Sequence, residues 1–107
     1  MKHETHLLGF LALMAMTSAH AALGVSYGPV PNLRIEGNVG FIGVSQPLSG
    51  SSCAGRVWVD MTTEAGRAAY ATAMMAFAME KNVYIRADDT SSQTAGACKM
   101  YDVYLTQ

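Results

Sequence analysis

The sequence predicts a small, mostly β fold with a single helix, an α+β domain stapled by one disulfide. Three observations lead to this prediction. Short runs that alternate apolar and polar residues, separated by Gly, Pro, Asn and Ser, are typical of strands and turns. One long stretch rich in alanine and methionine has the composition of a helix. The 107-residue chain also has two cysteines, enough for one bridge.

The first 21 residues have the organisation of a signal peptide. Lys2 precedes the apolar run from Leu7 to Met16, and Ala19-His20-Ala21 is a small-x-small cleavage site. The run is too short to span a bilayer, and no later apolar stretch is long enough to do so. We therefore expect residues 1–21 to be removed and the mature protein to be secreted or periplasmic. An uncleaved N-terminal anchor is the alternative.

The remaining chain divides into an extended segment at residues 22–32 and a domain at residues 33–107. Pro29 and Pro31 lie in the segment, where they disfavour helix and suit only the edge of a sheet. The domain is small enough to need a staple. Export exposes the chain to an oxidising compartment, so Cys53 and Cys98 are expected to pair. Two free or intermolecular thiols are the alternative.

The domain begins with three predicted strands. A strand at 33–36 and another at 39–45 are joined by the two-residue turn Gly37-Asn38. The loop at 46–52 follows. The third strand, from Arg56 to Met61, alternates apolar and polar side chains without a break.

A helix follows the third strand. Thr62 or Thr63 can cap its N-terminus, and Glu64 is well placed in the first turn against the helix dipole. The composition continues to about Lys81, and Asn82 can end the helix in a left-handed conformation.

Two further strands complete the domain, at 82–88 and at 100–105, with a polar loop between them. The order is therefore strand, strand, strand, helix, strand, strand. Five short strands cover their edges best by curling into a barrel, which the helix closes at one end. This is the arrangement of an OB-type barrel; an open antiparallel sheet crossed by one helix is the alternative.

The helix has more apolar surface than one sheet can cover. Tyr70, Met74 and Phe77, with Ala73, form one stripe at helical spacing, and other methionines fall beyond it. Since so small a domain cannot bury this helix on all sides, we expect it to pack against copies of itself. The residues expected at that contact are Tyr70, Met74, Met75, Phe77 and Met79. Alternatively, the alanines and methionines are simply tolerated at the surface.

The composition argues against catalysis. His3, His6 and His20 all lie in the leader, so the mature chain has no imidazole for acid–base chemistry, for activating a serine or for binding zinc. The oxygen-rich loop at 88–92 lacks the spacing of an EF-hand. We expect no enzymatic activity, no cofactor and no metal site.

The charge balance argues against a nucleic-acid partner. The chain has seven Lys and Arg residues and eight Asp and Glu residues, which give a formal net charge of −1. Proteins that bind nucleic acid normally carry a basic excess on one face. We therefore expect no nucleic-acid partner.

The polar faces of the strands form a candidate binding surface. Aromatic rings interleaved with arginine and aspartate suit a sugar, because rings cover the apolar face of a pyranose and charged groups bind its hydroxyls. The same mixture also makes ordinary cross-strand pairs on a solvated face. The residues that alternation turns away from the core are Arg56, Trp58, Asp60, Tyr84, Arg86, Asp88, Asp102 and Tyr104.

From Gly50 onward, the string GSSCAGRVWVDMTTEAGRAAYATAMMAFAMEKNVYIRA resembles the OB-fold B subunits of AB5 toxins. The likeness is greatest to the B subunits of subtilase cytotoxin and typhoid toxin. The shared features are a signal peptide, a cysteine beside a central strand, a helix rich in alanine and aromatics, a Val-x-Ile strand at Val83-Tyr84-Ile85, a late cysteine and a terminal strand. The resemblance covers residues 33–105.

This resemblance implies a secreted or periplasmic pentamer whose helices line a central pore. Its expected partners are a cell-surface glycan and an A-type toxin subunit. Members of the family use a serine near the mature N-terminus for sialylated sugars; here Ser26 is the candidate, although its surroundings depart from the family's motif.

The sequence thus supports two hypotheses. In the first, the protein is a secreted, disulfide-stapled OB-like domain that forms oligomers and binds carbohydrate. The candidate contacts are Trp58, Tyr84, Arg86, Tyr104 and Ser26. In the second, it is a periplasmic protein–protein interaction module or inhibitor that uses an exposed strand edge or the loop at 46–52.

Overall fold

A computed structural model describes residues 23–48 and 53–106. The predicted signal peptide, residues 1–21, lies outside the described residues. Within them the fold is mostly β with one helix, as the sequence predicts. No helix in the described part of the chain is long and apolar enough to cross a membrane.

The described residues form one helix and six strands, and the six strands make one mixed sheet. The elements are β1 Leu23–Pro29, β2 Leu33–Glu36, β3 Val39–Gly43, β4 Arg56–Asp60, α1 Glu64–Met79, β5 Asn82–Asp88 and β6 Cys98–Leu105. The sheet has the order β1-β5-β6-β4-β3-β2 and curls into a half-barrel. Neighbouring strands are antiparallel except β4 and β6, which run parallel.

The prediction of five strands is wrong by one. The segment 22–32 contains β1, whose seven residues pair along the full length of β5, from Leu23 opposite Asp88 to Pro29 opposite Asn82. Pairing with a strand nearly sixty residues away leaves no local signature in the sequence. β1 lies at an edge of the sheet, where Pro29 removes no ladder hydrogen bond between paired strands.

The sheet does not join its two edge strands, β1 and β2, to each other. Instead, the segment after β3 passes over β1. Ser26 Oγ donates a hydrogen bond to the Gln46 carbonyl at 2.9 Å. Gly28, at φ +142°, approaches Ser45 so closely that a Cβ would lie 2.3 Å from Ser45 Oγ. This segment therefore covers the open side of the half-barrel.

Local signals predicted the hairpin and the start of the helix correctly. Glu36 pairs with Val39 across the predicted two-residue turn, in which Gly37 has φ +60°. Thr63 caps α1, since its Oγ1 accepts a hydrogen bond from the Gly66 N–H at 2.9 Å. Both features depend on neighbours in sequence, and for that reason the sequence predicts them.

The predicted end of the helix is shifted. The helix ends at Met79, and the left-handed residue is Glu80, at φ 55°, instead of Asn82. Lys81 N–H donates to the Ala76 carbonyl at 2.9 Å and completes the cap. Asn82 is already extended, because it pairs with Pro29 as the first residue of β5.

The core lies between the inner face of the sheet and α1. Its fully buried side chains include Ile42, Val57, Ile85 and Cys98. Cys53 and Cys98 form the predicted disulfide, with Cα atoms 5.3 Å apart. This bridge is compatible with an extracellular or periplasmic location.

The helix packs on the sheet through small residues. Gly66 lies so close to β4 that a Cβ would be 1.9 Å from the Asp60 carbonyl oxygen. Ala73 and Ala76 are fully buried, beside the buried ring of Tyr70. These contacts bring the helix axis near the sheet.

As a result, the members of the predicted helical stripe differ in burial. Tyr70 and Ala73 are buried, but Met74 and Phe77 are about half exposed. With the helix so close to the sheet, the neighbouring large side chains lie beyond the contact and cannot fit beneath it.

Candidate functional site

Three tyrosines stand side by side on the outer face of the sheet. Tyr27 of β1 pairs with Tyr84 of β5, which pairs with Tyr104 of β6. The ring centroids of Tyr27 and Tyr84 are 5.1 Å apart, and those of Tyr84 and Tyr104 are 5.3 Å apart and nearly parallel. We call this set the tyrosine row.

Two of these residues, Tyr84 and Tyr104, are sequence-predicted contacts, whereas Tyr27 is a new member. The signal that could have indicated it is the alternation of small residues, Gly24 and Ser26, with larger ones, Val25 and Tyr27. Tyr27 Oη accepts hydrogen bonds from Asn82 Nδ2 at 3.3 Å and Thr106 Oγ1 at 3.5 Å. The hydrogen bonds from Thr106 and Asn82 favour the phenolate and lower the pKa of Tyr27.

An ion pair lies next to the tyrosine row. Arg86 of β5 is opposite Asp102 of β6 and donates to its carboxylate from Nε, at 2.8 Å, and from Nη2. The hydrogen bond from Arg86 holds the pKa of Asp102 below its usual range and raises that of Arg86. Both side chains remain more than one-third exposed, so a ligand can reach them.

Tyr101 joins this surface because β6 is irregular. The register between β5 and β6 shifts between Arg86 and Ala87, which leaves Tyr101 unpaired. Strict alternation along β6 would place Tyr101 on the same side of the strand as Val103. In the structure Tyr101 is exposed, and the Arg86 guanidinium lies over its ring at 5.1 Å.

Trp58 lies further along the same face, where β4 and β6 run parallel. Lys99, its register partner, has Nζ 5.5 Å from the indole ring. The indole Nε1–H donates to the Ser92 carbonyl at 3.1 Å, so the loop at 89–97 holds Trp58. Arg56 is tied to the same loop, by a hydrogen bond to the Ala95 carbonyl.

Ser26 lies apart from the other predicted contacts. It sits on the inner face of β1, is 4% exposed and donates its hydroxyl hydrogen to the Gln46 carbonyl. The structure therefore brings Tyr84, Arg86 and Tyr104 together, places Trp58 along the same face and leaves Ser26 inside.

The oxygen-rich loop after β5 is organised by internal hydrogen bonds. Asp88 Oδ1 accepts from the N–H and Oγ1 of Thr90, and these bonds lower the pKa of Asp88. Across residues 23–48 and 53–106, no group of three or more His, Cys, Asp or Glu side chains converges to hold a metal ion.

The second candidate surface is the outer face of α1. Met74, Met75, Phe77 and Met79 are 48–56% exposed. Tyr70, the fifth residue predicted at a self-association contact, belongs to the core, and its burial raises its pKa. Open grooves flank the helix on both sides, one beside Phe77 and Val30 and the other, of about 410 Å³, beside Met75, Met79 and Leu105.

The chain matches no protein-family model, no curated protein and no solved structure. The resemblance to the B subunits of AB5 toxins is therefore carried by sequence pattern alone and stays a prediction.

Proposed function

We propose that this protein is a secreted, non-catalytic binding domain that forms homo-oligomers and binds carbohydrate through the outer face of its sheet. The observation that carries the proposal is the tyrosine row beside the ion pair of Arg86 and Asp102. The row offers apolar ring surface and hydroxyls, and the ion pair offers charged hydrogen-bonding groups within reach of the same ligand.

The geometry favours one end of the row for stacking. Tyr84 has a neighbouring ring on each side, so Tyr27 and Tyr104 largely cover the two faces of its ring. Tyr104 ends the row, has one ring neighbour and is 49% exposed. A pyranose that covers the free side of Tyr104 can direct its hydroxyls toward Arg86 and Asp102.

Trp58 is a peripheral contact in this proposal, because its N–H is already bonded to Ser92 and Lys99 covers part of its ring. Ser26 is left out, since its hydroxyl is buried and bonded to Gln46. Its role is to hold the segment after β3 over β1.

The architecture supports the expected OB-like arrangement of strands and helix. From β2 onward the sheet has the order β2-β3-β4-β6-β5, with α1 between β4 and β5. The exposed side chains of α1 support the homo-oligomer. The B-subunit resemblance implies five copies, a cell-surface glycan as ligand and an A-type subunit as partner.

A matched pair of arginine variants tests the sugar site. The exported protein is applied to a glycan array, and the affinity for each bound glycan is then measured by calorimetry. Arg86→Ala is expected to lower the affinity about tenfold or more, since it removes a charged hydrogen-bonding group. Arg34→Ala, which breaks the exposed ion pair with Glu36 on β2, is the control and should leave the affinity unchanged. Absence of binding to every glycan removes the carbohydrate proposal.

A protein-interaction module or inhibitor is the second candidate. The observation that favours it is the edge strand β2, on which Ile35 is among the most exposed apolar residues. An edge strand can add a strand from a partner. A defined periplasmic protein that binds the wild type and loses affinity for Ile35→Asp, in the absence of glycan binding, would favour this candidate.

A further inference from the structure

A regular seam runs along the solvent side of α1. Glu64, Ala68, Ala71, Met75 and Ala78 follow one another at spacings of four, three, four and three residues. All five residues are exposed. This is the spacing at which two helices pack side by side over several turns. We call these five residues the outer seam.

The outer seam is separate from the residues that hold the helix to its own sheet. Those residues are Gly66, Tyr70, Ala73 and Ala76, and they are buried. No charged residue lies between Arg67 and Glu80, so most of the seam and its flanking methionines are uncharged. A solvent-facing stripe of this kind is typical of a contact surface.

We propose that the outer seam pairs with the outer seam of a second copy of this chain, with the two helices antiparallel about a two-fold axis. This inference rests on the homo-oligomer proposed above and specifies its symmetry. Alanine at three of the four apolar positions lets the helix axes approach to about 8 Å. In the antiparallel register, Ala68 lies level with Ala78 of the second copy, and Ala71 lies level with its Met75.

The charges at the two ends of the helix set the direction. Glu64 and Arg67 lie near its N-terminus, and Glu80 and Lys81 lie just after its C-terminus. Antiparallel pairing brings Glu64 near Lys81 of the second copy and Arg67 near its Glu80. Parallel pairing brings like charges level with each other. The helix dipoles also favour the antiparallel arrangement.

This direction distinguishes a two-fold pair from a ring. In a five-fold ring whose helices line a central pore, neighbouring helices run parallel. Glu64 of one copy is then far from Lys81 of its neighbour, and Arg67 is far from its neighbour's Glu80. The charges of α1 therefore favour two copies at this face over the five-copy ring that the resemblance implies.

The oligomeric state gives the first test. The full chain is expressed with its own leader, purified from the periplasmic fraction and examined by sedimentation equilibrium. Wild type is expected at twice the mass of one chain. Ala71→Glu, which places a carboxylate in the middle of the seam, should weaken the pair at least tenfold. Ala65→Glu makes the same change at an exposed position of α1 outside the seam and should have no effect.

A charge exchange tests the direction. Glu64→Lys and Lys81→Glu should each weaken the pair by about two- to fivefold, because each places like charges opposite each other at both ends of the contact. The double variant Glu64→Lys/Lys81→Glu should restore the wild-type affinity. Far-UV circular dichroism confirms that each variant is folded.

The outcomes separate this inference from the proposed function. A wild-type chain that stays monomeric at roughly 0.1 mM overturns the inference and the homo-oligomer together, while the carbohydrate site is judged by Arg86→Ala alone. A ring of several copies, or a pair in which the double variant is no better than the single ones, overturns the antiparallel pairing and leaves the homo-oligomer standing.

Discussion

At the scale of single residues, Gly66 sets the distance between the helix and the sheet. Its missing side chain lets the first turn of α1 lie against the end of β4, where a Cβ would be 1.9 Å from the Asp60 carbonyl oxygen. Glycine within a helix is normally unfavourable relative to alanine by up to about 1 kcal/mol. Here close packing outweighs that preference.

We therefore predict that Gly66→Ala destabilises the protein although alanine is the better helix former. The clash with backbone should lower the free energy of unfolding by about 1–3 kcal/mol. Urea denaturation with the disulfide intact measures this change. Gly55→Ala is the matched control, because a Cβ there meets nothing within 4 Å. A stabilised Gly66→Ala variant would contradict the packing described for α1.

At the scale of elements, the irregular pairing of β5 and β6 builds the outer surface. Up to Arg86 and Asp102 the two strands are in register, and the shift that follows pushes Tyr101 outward. The Arg86 guanidinium then lies between the carboxylate of Asp102 and the ring of Tyr101. One extra residue in β6 thus determines which side chains meet.

This pair predicts a contribution to stability that depends on pH. The pKa of Asp102 in the folded protein is lowered from 3.8 by Arg86. The folded state therefore binds fewer protons than the unfolded state in this range, and the stabilisation is complete above about pH 5 and lost as pH falls through the lowered pKa. Because the carboxylate is partly exposed, its contribution should be only about 0.5 kcal/mol.

Asp102→Asn tests this prediction by urea denaturation. The variant should be less stable than wild type at pH 6.5, and the difference should shrink as pH falls through the lowered pKa of Asp102 and vanish once that carboxylate is protonated. Glu36→Gln, at the exposed ion pair with Arg34, is the control and should change little at either pH. A difference for Asp102→Asn that persists in acid would assign the effect to packing.

At the scale of the whole molecule, two antiparallel groups of three strands meet at one short contact. β1, β5 and β6 form one group, and β2, β3 and β4 form the other. They are joined by the parallel pairing of β4 with β6, at Val57 opposite Cys98 and Trp58 opposite Lys99. Cys98 also forms the disulfide with Cys53, which lies just before β4. The bridge therefore reinforces the contact between β4 and β6, which has the fewest paired residues in the sheet.

Loss of this bridge is expected to destabilise the protein strongly. A sequence separation of 45 residues corresponds to about 4 kcal/mol in the chain-entropy model. The double variant Cys53→Ala/Cys98→Ala should therefore lose much of its stability in urea denaturation. Wild type in reductant should fall to a similar level, and the double variant should not respond to reductant. A decrease in the free energy of unfolding of less than about 1 kcal/mol would show that the contact between β4 and β6 is stable without the bridge.

Features that depend on sequence neighbours were predictable from the sequence alone. The alternation within β4 and β5, the turn at Gly37-Asn38, the Thr63 cap and the pairing of the only two cysteines all follow from residues close in sequence or from simple counting. For the candidate site, alternation identified Tyr84, Arg86 and Tyr104 as outward residues of β5 and β6.

The tertiary structure decided what depends on distant contacts. Pairing with β5 turned the N-terminal segment into a strand and added Tyr27 to the tyrosine row. The register shift in β6 exposed Tyr101, and the close approach of Gly66 to β4 left Met74 outside the core. The sequence shows which side chains share a face of a strand or helix, because the periods of two and 3.6 residues are properties of the local backbone. Which strand lies alongside, and how near a helix comes, depends on packing between residues far apart in the chain.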